Sequence, residues 1–269
     1  MTQSDLERAG GRAAPAIDAM TRFGFGTKGL VTVLVGFLAL RYALRRGGEI
    51  TGQNGVAELV AGEPFGRWML AVLGAGLAGY AIWMFVVAFL DPERKGRGFT
   101  AVAERLGSFA TGIGYVALAF AAFALIFGHE GGGLDVKKII ATVLTPHVGR
   151  VLVGLAGAIV MTAGVFQIRL AITRRFRQLL LPHLSKLVRI ATVVTGTVGY
   201  VTLGVLSLIT GWSLVQVAVQ YDPAEVKEWE DALWLLAGLG RGRWLLTAVA
   251  LGLICYGLFF VLQVRYRKL

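Results

Sequence analysis

Long apolar runs rather than alternating positions organise this chain. Six stretches, Phe23 to Leu44, Trp68 to Leu90, Leu106 to Phe127, Val151 to Ile172, Ile190 to Ile209 and Trp244 to Val264, carry few charges. Each is close to the roughly 20 residues that cross a hydrocarbon layer of ~30 Å. The strands of a membrane barrel would alternate apolar with polar over about 10 residues. These runs do not alternate, so they predict helices. They also come in pairs. Arg22, Arg105 and Arg189 each open a pair, and Arg67, Arg150 and Arg243 each stand just before its second helix. From 22 to 105 and from 67 to 150 the step is the same, 83 residues. The pattern predicts an all-α integral membrane protein. Its six transmembrane helices form three tandem hairpin repeats with a pseudo-threefold arrangement: 22–95, 105–178 and 189–269, after a polar N-terminal tail over 1–21.

The connection inside each repeat is expected to hold a short amphipathic helix lying in the interface. In the second repeat Val136, Ile139, Ile140, Val143 and Leu144 recur at helical spacing before Pro146. The third begins on Asp222, Pro223 and Glu225, a capping-box pattern, and continues through Val226, Trp229, Leu233 and Leu236. The first is shorter: Val56, Leu59 and Val60, followed by Pro64.

Composition agrees with this picture. The chain of 269 residues is 56% hydrophobic with a net charge of +11, and its mean hydropathy is +0.68. That is more apolar surface than a soluble domain of this size buries. The charge is not spread evenly. Arg94, Lys95, Arg97, Arg174, Arg175, Arg177, Lys186, Arg265, Arg267 and Lys268 fall on one side of the predicted topology. The positive-inside rule then puts both termini in the cytoplasm. Expected partners of this basic face are anionic lipids; no nucleic-acid recognition module accompanies it. The sole cysteine, Cys255, lies in the last span and forms no intrachain disulfide.

Several residues now carry a resemblance. The run Arg22-Phe-Gly-Phe-Gly-Thr-Lys-Gly, the Glu63-Pro-Phe-Gly-Arg67 segment before the second span and Gly79-Tyr-Ala-Ile-Trp83 within it resemble the bacterial membrane family known as domain of unknown function number 1206. That family is built from three tandem two-helix repeats. The resemblance implies a multi-pass protein of the bacterial plasma (inner) membrane and no particular activity. It weakens in the third repeat, where Gly240-Arg-Gly-Arg243 replaces the Pro-x-Gly-Arg pattern.

Helix packing is expected along small-residue rows: Ala71, Ala75 and Gly79 on the second span, Gly154, Ala158 and Thr162 on the fourth, with Thr247, Leu251 and Cys255 as their looser counterparts on the sixth. Other motifs fail on context. Gly74-Ala-Gly76-Leu-Ala-Gly79 matches a dinucleotide fingerprint by letter but lies mid-span rather than on a strand-to-helix turn. His129, His147 and His183 are isolated, without the partners of a zinc site. No span holds an Asp or Glu to act as an intramembrane acid or base. The expectation is therefore a protein without catalytic residues, metal or cofactor.

One constellation merits a functional reading. Superposing the odd spans on Arg22, Arg105 and Arg189 makes three layers equivalent: Phe25 with Ser108 and Thr192, Lys28 with Thr111 and Thr195, Thr32 with Tyr115 and Gly199. Their i, i+3, i+7 spacing keeps them on one face. If that face lines the pseudo-threefold axis, Lys28, Thr32, Ser108, Thr111, Tyr115, Thr192 and Thr195 form a polar site for a small anion or a lipid headgroup. Alternatively Lys28 snorkels to headgroups and the hydroxyls bond back to their own helices. Arg67, Arg150 and Arg243 sit at the N-termini of the even spans, where a basic ring suits an anion or outer-leaflet phosphates. The sequence thus points to a non-enzymatic membrane protein that binds or translocates an anion or lipid. The reading from a different class is an accessory or scaffolding subunit packed against another membrane protein.

Overall fold

A computed structural model of the chain describes residues 3–44, 51–90, 98–127, 147–174, 176, 185–220, 233 and 242–266. Its elements are α1 (Gln3–Ala43), α2 (Gln53–Ala61), α3 (Gly66–Leu90), α4 (Phe99–Ile126), α5 (His147–Thr173), α6 (Lys186–Gln220) and α7 (Gly242–Tyr266). No strand occurs among the described residues. Among the described residues six segments are long and apolar enough to cross a membrane: Ala19–Ala43, Gly66–Leu90, Glu104–Ile126, Gly149–Thr173, Lys186–Gln220 and Arg243–Tyr266. The chain is a multi-pass, all-helical membrane protein. Several helices exceed their sequence-based bounds, α4 by seven residues at its start and α5 by four. The tail runs as helix from Gln3 into the first span without a break, and α6 continues past Ile209 to Gln220.

Of the three expected short helices, the first is present as α2, with Val56 and Ala57 buried and Leu59 exposed. The segments holding Val136 to Leu144 and Asp222 to Leu236 lie outside the described residues, Leu233 apart. The joint between α2 and α3 explains the Pro-Phe-Gly-Arg pattern. Phe65 adopts φ 67°, a left-handed conformation that costs an L-residue roughly 1–2 kcal/mol. From there its carbonyl accepts the amide hydrogens of Trp68 and Met69 at 3.0 and 3.2 Å and so opens α3. Gly66 follows because a Cβ there would strike the carbonyls of Val60 and Ala61 at the end of α2.

The chain divides into two compact units. The first comprises Met1–Gly29, Ala57–Gly133 and Phe260–Leu269; the second comprises Leu30–Val56 and Leu134–Phe259. In the first unit, α1 crosses α3 so closely that a Cβ at Gly24 would meet the backbone of Tyr80, and one at Gly76 would meet the side chain of Thr27. α3 also packs on α4, where Phe123 covers Gly74 and Phe85 covers Gly112. In the second unit, Gly199 stands against Tyr256 and Gly252 against Thr202, while α5 and α6 meet at Gly157 and Gly211. Val153, Leu214, Val217 and Ala218 form an apolar cluster beside that contact.

These contacts correct the register of the third repeat. Gly24 corresponds to Gly199 and Thr27 to Thr202, a step of 175 residues, whereas Arg22 to Arg189 is 167. Along the even spans Gly76 corresponds to Gly252 and Tyr80 to Tyr256, a step of 176. Thr192 and Thr195 are therefore not the counterparts of Phe25 and Lys28, which are Tyr200 and Leu203. The expected packing rows hold in part: Gly79 is buried and a Cβ there would meet the carbonyl of Met20, whereas other positions give way to a neighbouring glycine. Ala75, Ala158 and Leu251 are exposed, while the adjacent Gly76, Gly157 and Gly252 are buried. Helices in lipid approach through whichever small residue lets two backbones come together, and here that is glycine rather than alanine.

Candidate functional site: a caged lysine in the first repeat

Lys28 lies six residues beyond Arg22 on α1, about 9 Å along the helix axis at ~1.5 Å per residue. It does not reach for the surface. The side chain is 7% exposed, and its Nζ donates a 2.7 Å hydrogen bond to the hydroxyl of Tyr80 on α3. Three rings surround the ammonium: Tyr80 and Phe260, each with its centroid at 4.3 Å, and Tyr115 at 5.0 Å. They come from α3, α7 and α4, so four helices of the first unit converge on one cation.

The rings hold each other in place. Tyr80 and Tyr115 meet edge to face at 4.6 Å, and Tyr80 meets Phe260 in the same way at 6.1 Å. Phe25 backs the cage, stacked on Phe260 at 5.5 Å and edge-on to Tyr80 at 5.4 Å. The close crossing at Gly24 brings Tyr80 within reach of α1. Arg22 fixes the neighbouring end of α7 by donating from Nη1 to the carbonyl of Val264 in its last turn, where helix carbonyls lack intrahelical partners.

The energetics are consistent with a retained charge. A lysine at the bilayer centre costs about 2.5–3.5 kcal/mol on insertion scales. A desolvated cation over an aromatic face recovers about 2 kcal/mol, and a hydrogen bond involving a charged group about 1.5–3. Together these offset the insertion cost. An anion does not fit among the rings, because their faces carry the negative end of the quadrupole.

The remaining expected site residues are placed as follows. Tyr115 joins Lys28 in the cage. Ser108 and Thr111, in the same unit, bond back to the carbonyls of Glu104 and Gly107 at 2.9 and 2.8 Å. Thr192 and Thr195, in the second unit, donate to Val188 and Ala191, each at 2.8 Å. Thr32 is a buried residue of that second unit. Arg67 and Arg243 are exposed. Arg150 caps α6, with Nε donating to the carbonyl of Ala218 and Nη2 to that of Val219 at 3.3 Å. Sequence reasoning missed Tyr80 and Phe260 as members of the site. Tyr80 belongs to the Gly79-Tyr-Ala-Ile-Trp83 segment, but nothing local links it to Lys28, and Phe260 comes from the far end of the chain.

The second unit contains a related aromatic group. Tyr200, the counterpart of Phe25, packs edge-on against Tyr256 at 5.5 Å and Phe259 at 5.6 Å. Phe176 adds a further ring, 5.2 Å from Phe259. The position equivalent to Lys28 is the buried Leu203. The fold thus makes the same helix crossing with a leucine at that position, so packing alone does not require the lysine.

The repeats match a described family. The model of Domain of Unknown Function (DUF1206) matches three times, over residues 23–91, 106–174 and 198–267. The chain belongs to this family. The third match opens at 198, in agreement with the register drawn from the glycine contacts. The Uncharacterized protein YxxB of Bacillus subtilis (strain 168) is 28% identical over 256 residues, spanning 95% of this chain and 93% of that protein. No solved structure matches the chain. Membership in the family carries the three-repeat membrane fold and assigns no chemistry to the caged lysine.

Proposed function

We propose that the protein is a non-enzymatic component of the bacterial plasma membrane, with both termini cytoplasmic, that binds a lipid headgroup phosphate or a small anion through Lys28. The observation that carries this reading is the contrast between Lys28 and Leu203. Equivalent crossings bury a cation in one repeat and an aliphatic side chain in the other. A charge retained in a membrane interior where the fold accepts leucine marks a functional position.

The basic residues on one side of the topology, among them Arg174 and Arg265, support the cytoplasmic assignment of the termini. Lys28 then belongs to the cytoplasmic half of the membrane. The Cα–Cβ bonds of a helix tilt towards its N-terminus, which directs the lysine stem towards that same surface. The absence of Asp and Glu from the apolar spans supports binding over catalysis.

Purified wild type and Lys28→Leu should be compared for tightly bound phospholipid phosphorus and for retention of radiolabelled inorganic phosphate. Wild type is expected to hold one or the other, and the variant, at equal thermal stability, to hold neither. Equal retention by both proteins would remove the reading.

A further inference from the structure

A phosphate cannot enter the cage that holds Lys28, because the rings of Phe260 and Tyr115, at 4.3 and 5.0 Å from the ammonium, and the hydroxyl oxygen of Tyr80 present negative density to anything inside it. A lysine that engages phosphate has to leave the cage to do so. Departure of the Lys28 ammonium from among Tyr80, Tyr115 and Phe260 would forfeit the ring contacts and the 2.7 Å bond to the Tyr80 hydroxyl, unless another cation took its place. We propose that the ligand supplies that cation: the site binds a zwitterionic aminophospholipid headgroup by exchange, its ammonium entering the cage as Lys28 turns out to pair with its phosphate. This rests on the reading that Lys28 engages a phosphate, and it adds the chemical class of the ligand.

Charge balance favours an exchange over simple anion capture. Before and after the exchange one ammonium is enclosed by the rings, so their electrostatic environment is unchanged. The displaced Lys28 meets the phosphodiester of the same headgroup, one cation for one anion. A purely anionic ligand would leave the cage empty, with the Tyr80 hydroxyl losing its charged partner. Aromatic enclosures of this kind are the usual receptors for ammonium ligands. The lysine stem is long and flexible enough to move between two anchoring points, and its direction along α1 is towards the Arg22 end of the helix. The second unit supplies an internal contrast, since its crossing buries Leu203 in place of Lys28 and holds no lysine there to exchange.

The test is a lipid-binding comparison on the full chain in detergent micelles, read by native mass spectrometry. The probes are phosphatidylethanolamine, phosphatidylglycerol, phosphatidylethanolamine with its amine acylated, and inorganic phosphate. Wild type is expected to bind phosphatidylethanolamine about tenfold more tightly than phosphatidylglycerol, a gap of about 1.4 kcal/mol. Acylating the amine, which keeps the phosphate and removes the cation, should erase the preference. Phe260→Leu, which keeps an apolar side chain but removes a ring, should lower it to near unity without loss of folding. Lys28→Met should vacate the cage, so that tetramethylammonium raises the thermal midpoint of the variant and leaves that of wild type unchanged.

Equal affinity for the two lipids, with binding still lost in the Lys28 variant, would overturn the exchange and leave anion binding intact. Lipid binding that survives Lys28→Met without change would overturn both. A preference that persists in Phe260→Leu and Tyr115→Leu would overturn the role of the cage. Binding of inorganic phosphate alone, with none of the lipids retained, would exclude a headgroup ligand and with it the exchange.

Discussion

Thr27 fills the space that a side chain at Gly76 would need, and Thr202 does the same to Gly252. The recurrence ties the first and third hairpins to one packing solution. In each case a hydroxyl-bearing β-branched residue of the odd helix is set into a backbone-only notch of the even one. Enlarging the notch residue must therefore push the two helices apart. Gly76→Ala and Gly252→Ala should each cost about 1–3 kcal/mol, the range for overpacking a filled core. Thr27→Gly should recover a good part of the first loss and none of the second. Chemical unfolding in mixed micelles, run as a double-mutant cycle, checks both. Additive losses for the Thr27 and Gly76 pair would mean that the two residues do not share the space.

Replacement of the caged lysine should separate stability from binding. Lys28→Leu reproduces the residue of the third repeat, where Leu203 is buried at the equivalent crossing, so the exchange should leave stability close to that of wild type. Tyr80→Phe should lower it. It keeps the ring and removes the hydroxyl that accepts the 2.7 Å bond from Nζ, which leaves a buried charged donor less well satisfied and costs about 1–3 kcal/mol. Leu203→Lys should be the worst of the three, with a loss near 3 kcal/mol. Thermal midpoints in one detergent rank the variants; a Lys28→Leu protein less stable than Tyr80→Phe would contradict the argument.

The spans were legible in the sequence because about twenty apolar residues have only one use in a chain this hydrophobic. Phe23 to Leu44 and Trp68 to Leu90 lie close to the spans Ala19–Ala43 and Gly66–Leu90, although α1 as a whole starts at Gln3. The third-repeat register was not legible from the arginines, and the reason is physical. Arg22, Arg105 and Arg189 sit near helix ends, where a cation can shift by two turns and still lie at the interface. Gly24 and Gly199, each followed five residues later by Gly29 and Gly204, mark the register far better, since both stand at helix crossings with no room for a Cβ and such crossings tolerate no drift of that size. The cage was half legible. Tyr115 could be placed near Lys28 from the repeat alone, but Tyr80 and Phe260 are brought there only by the crossing of α1 with α3 and the packing of α7. Alanine and glycine read alike in a small-residue row, yet Ala75 is exposed between the buried Gly74 and Gly76.

Arg150 should prove to be a structural cap. Its Nε and Nη2 hold the carbonyls of Ala218 and Val219, in the last turn of α6, where unsatisfied carbonyls carry the negative end of the helix dipole. Arg150→Gln should therefore lower stability by about 1–2 kcal/mol at every concentration of chloride or phosphate. A residue that held an anion in the native state would instead show a loss that grows with anion concentration, as the wild type alone gains from the ligand. Thermal midpoints of both proteins across a phosphate series decide between the two roles, and parallel curves are the expected result.

The topology can be tested with single cysteines. The background is Cys255→Ala, since Cys255 is the sole native thiol and is only half-buried on α7. Glu58 is exposed on α2, between the first and second spans, and Arg174 is exposed just after the fourth. An odd number of crossings precedes the first position and an even number the second, so the two must face opposite sides of the membrane. With the basic residues around Arg174 on the inside, a membrane-impermeant maleimide added to intact cells should label Glu58→Cys and spare Arg174→Cys until the cells are lysed. Labelling of both from outside would break the hairpin count. Labelling of Arg174→Cys alone would keep the three hairpins and invert them, and Lys28 would then answer to the outer leaflet, where the headgroups available to its cage differ from those on the cytoplasmic side.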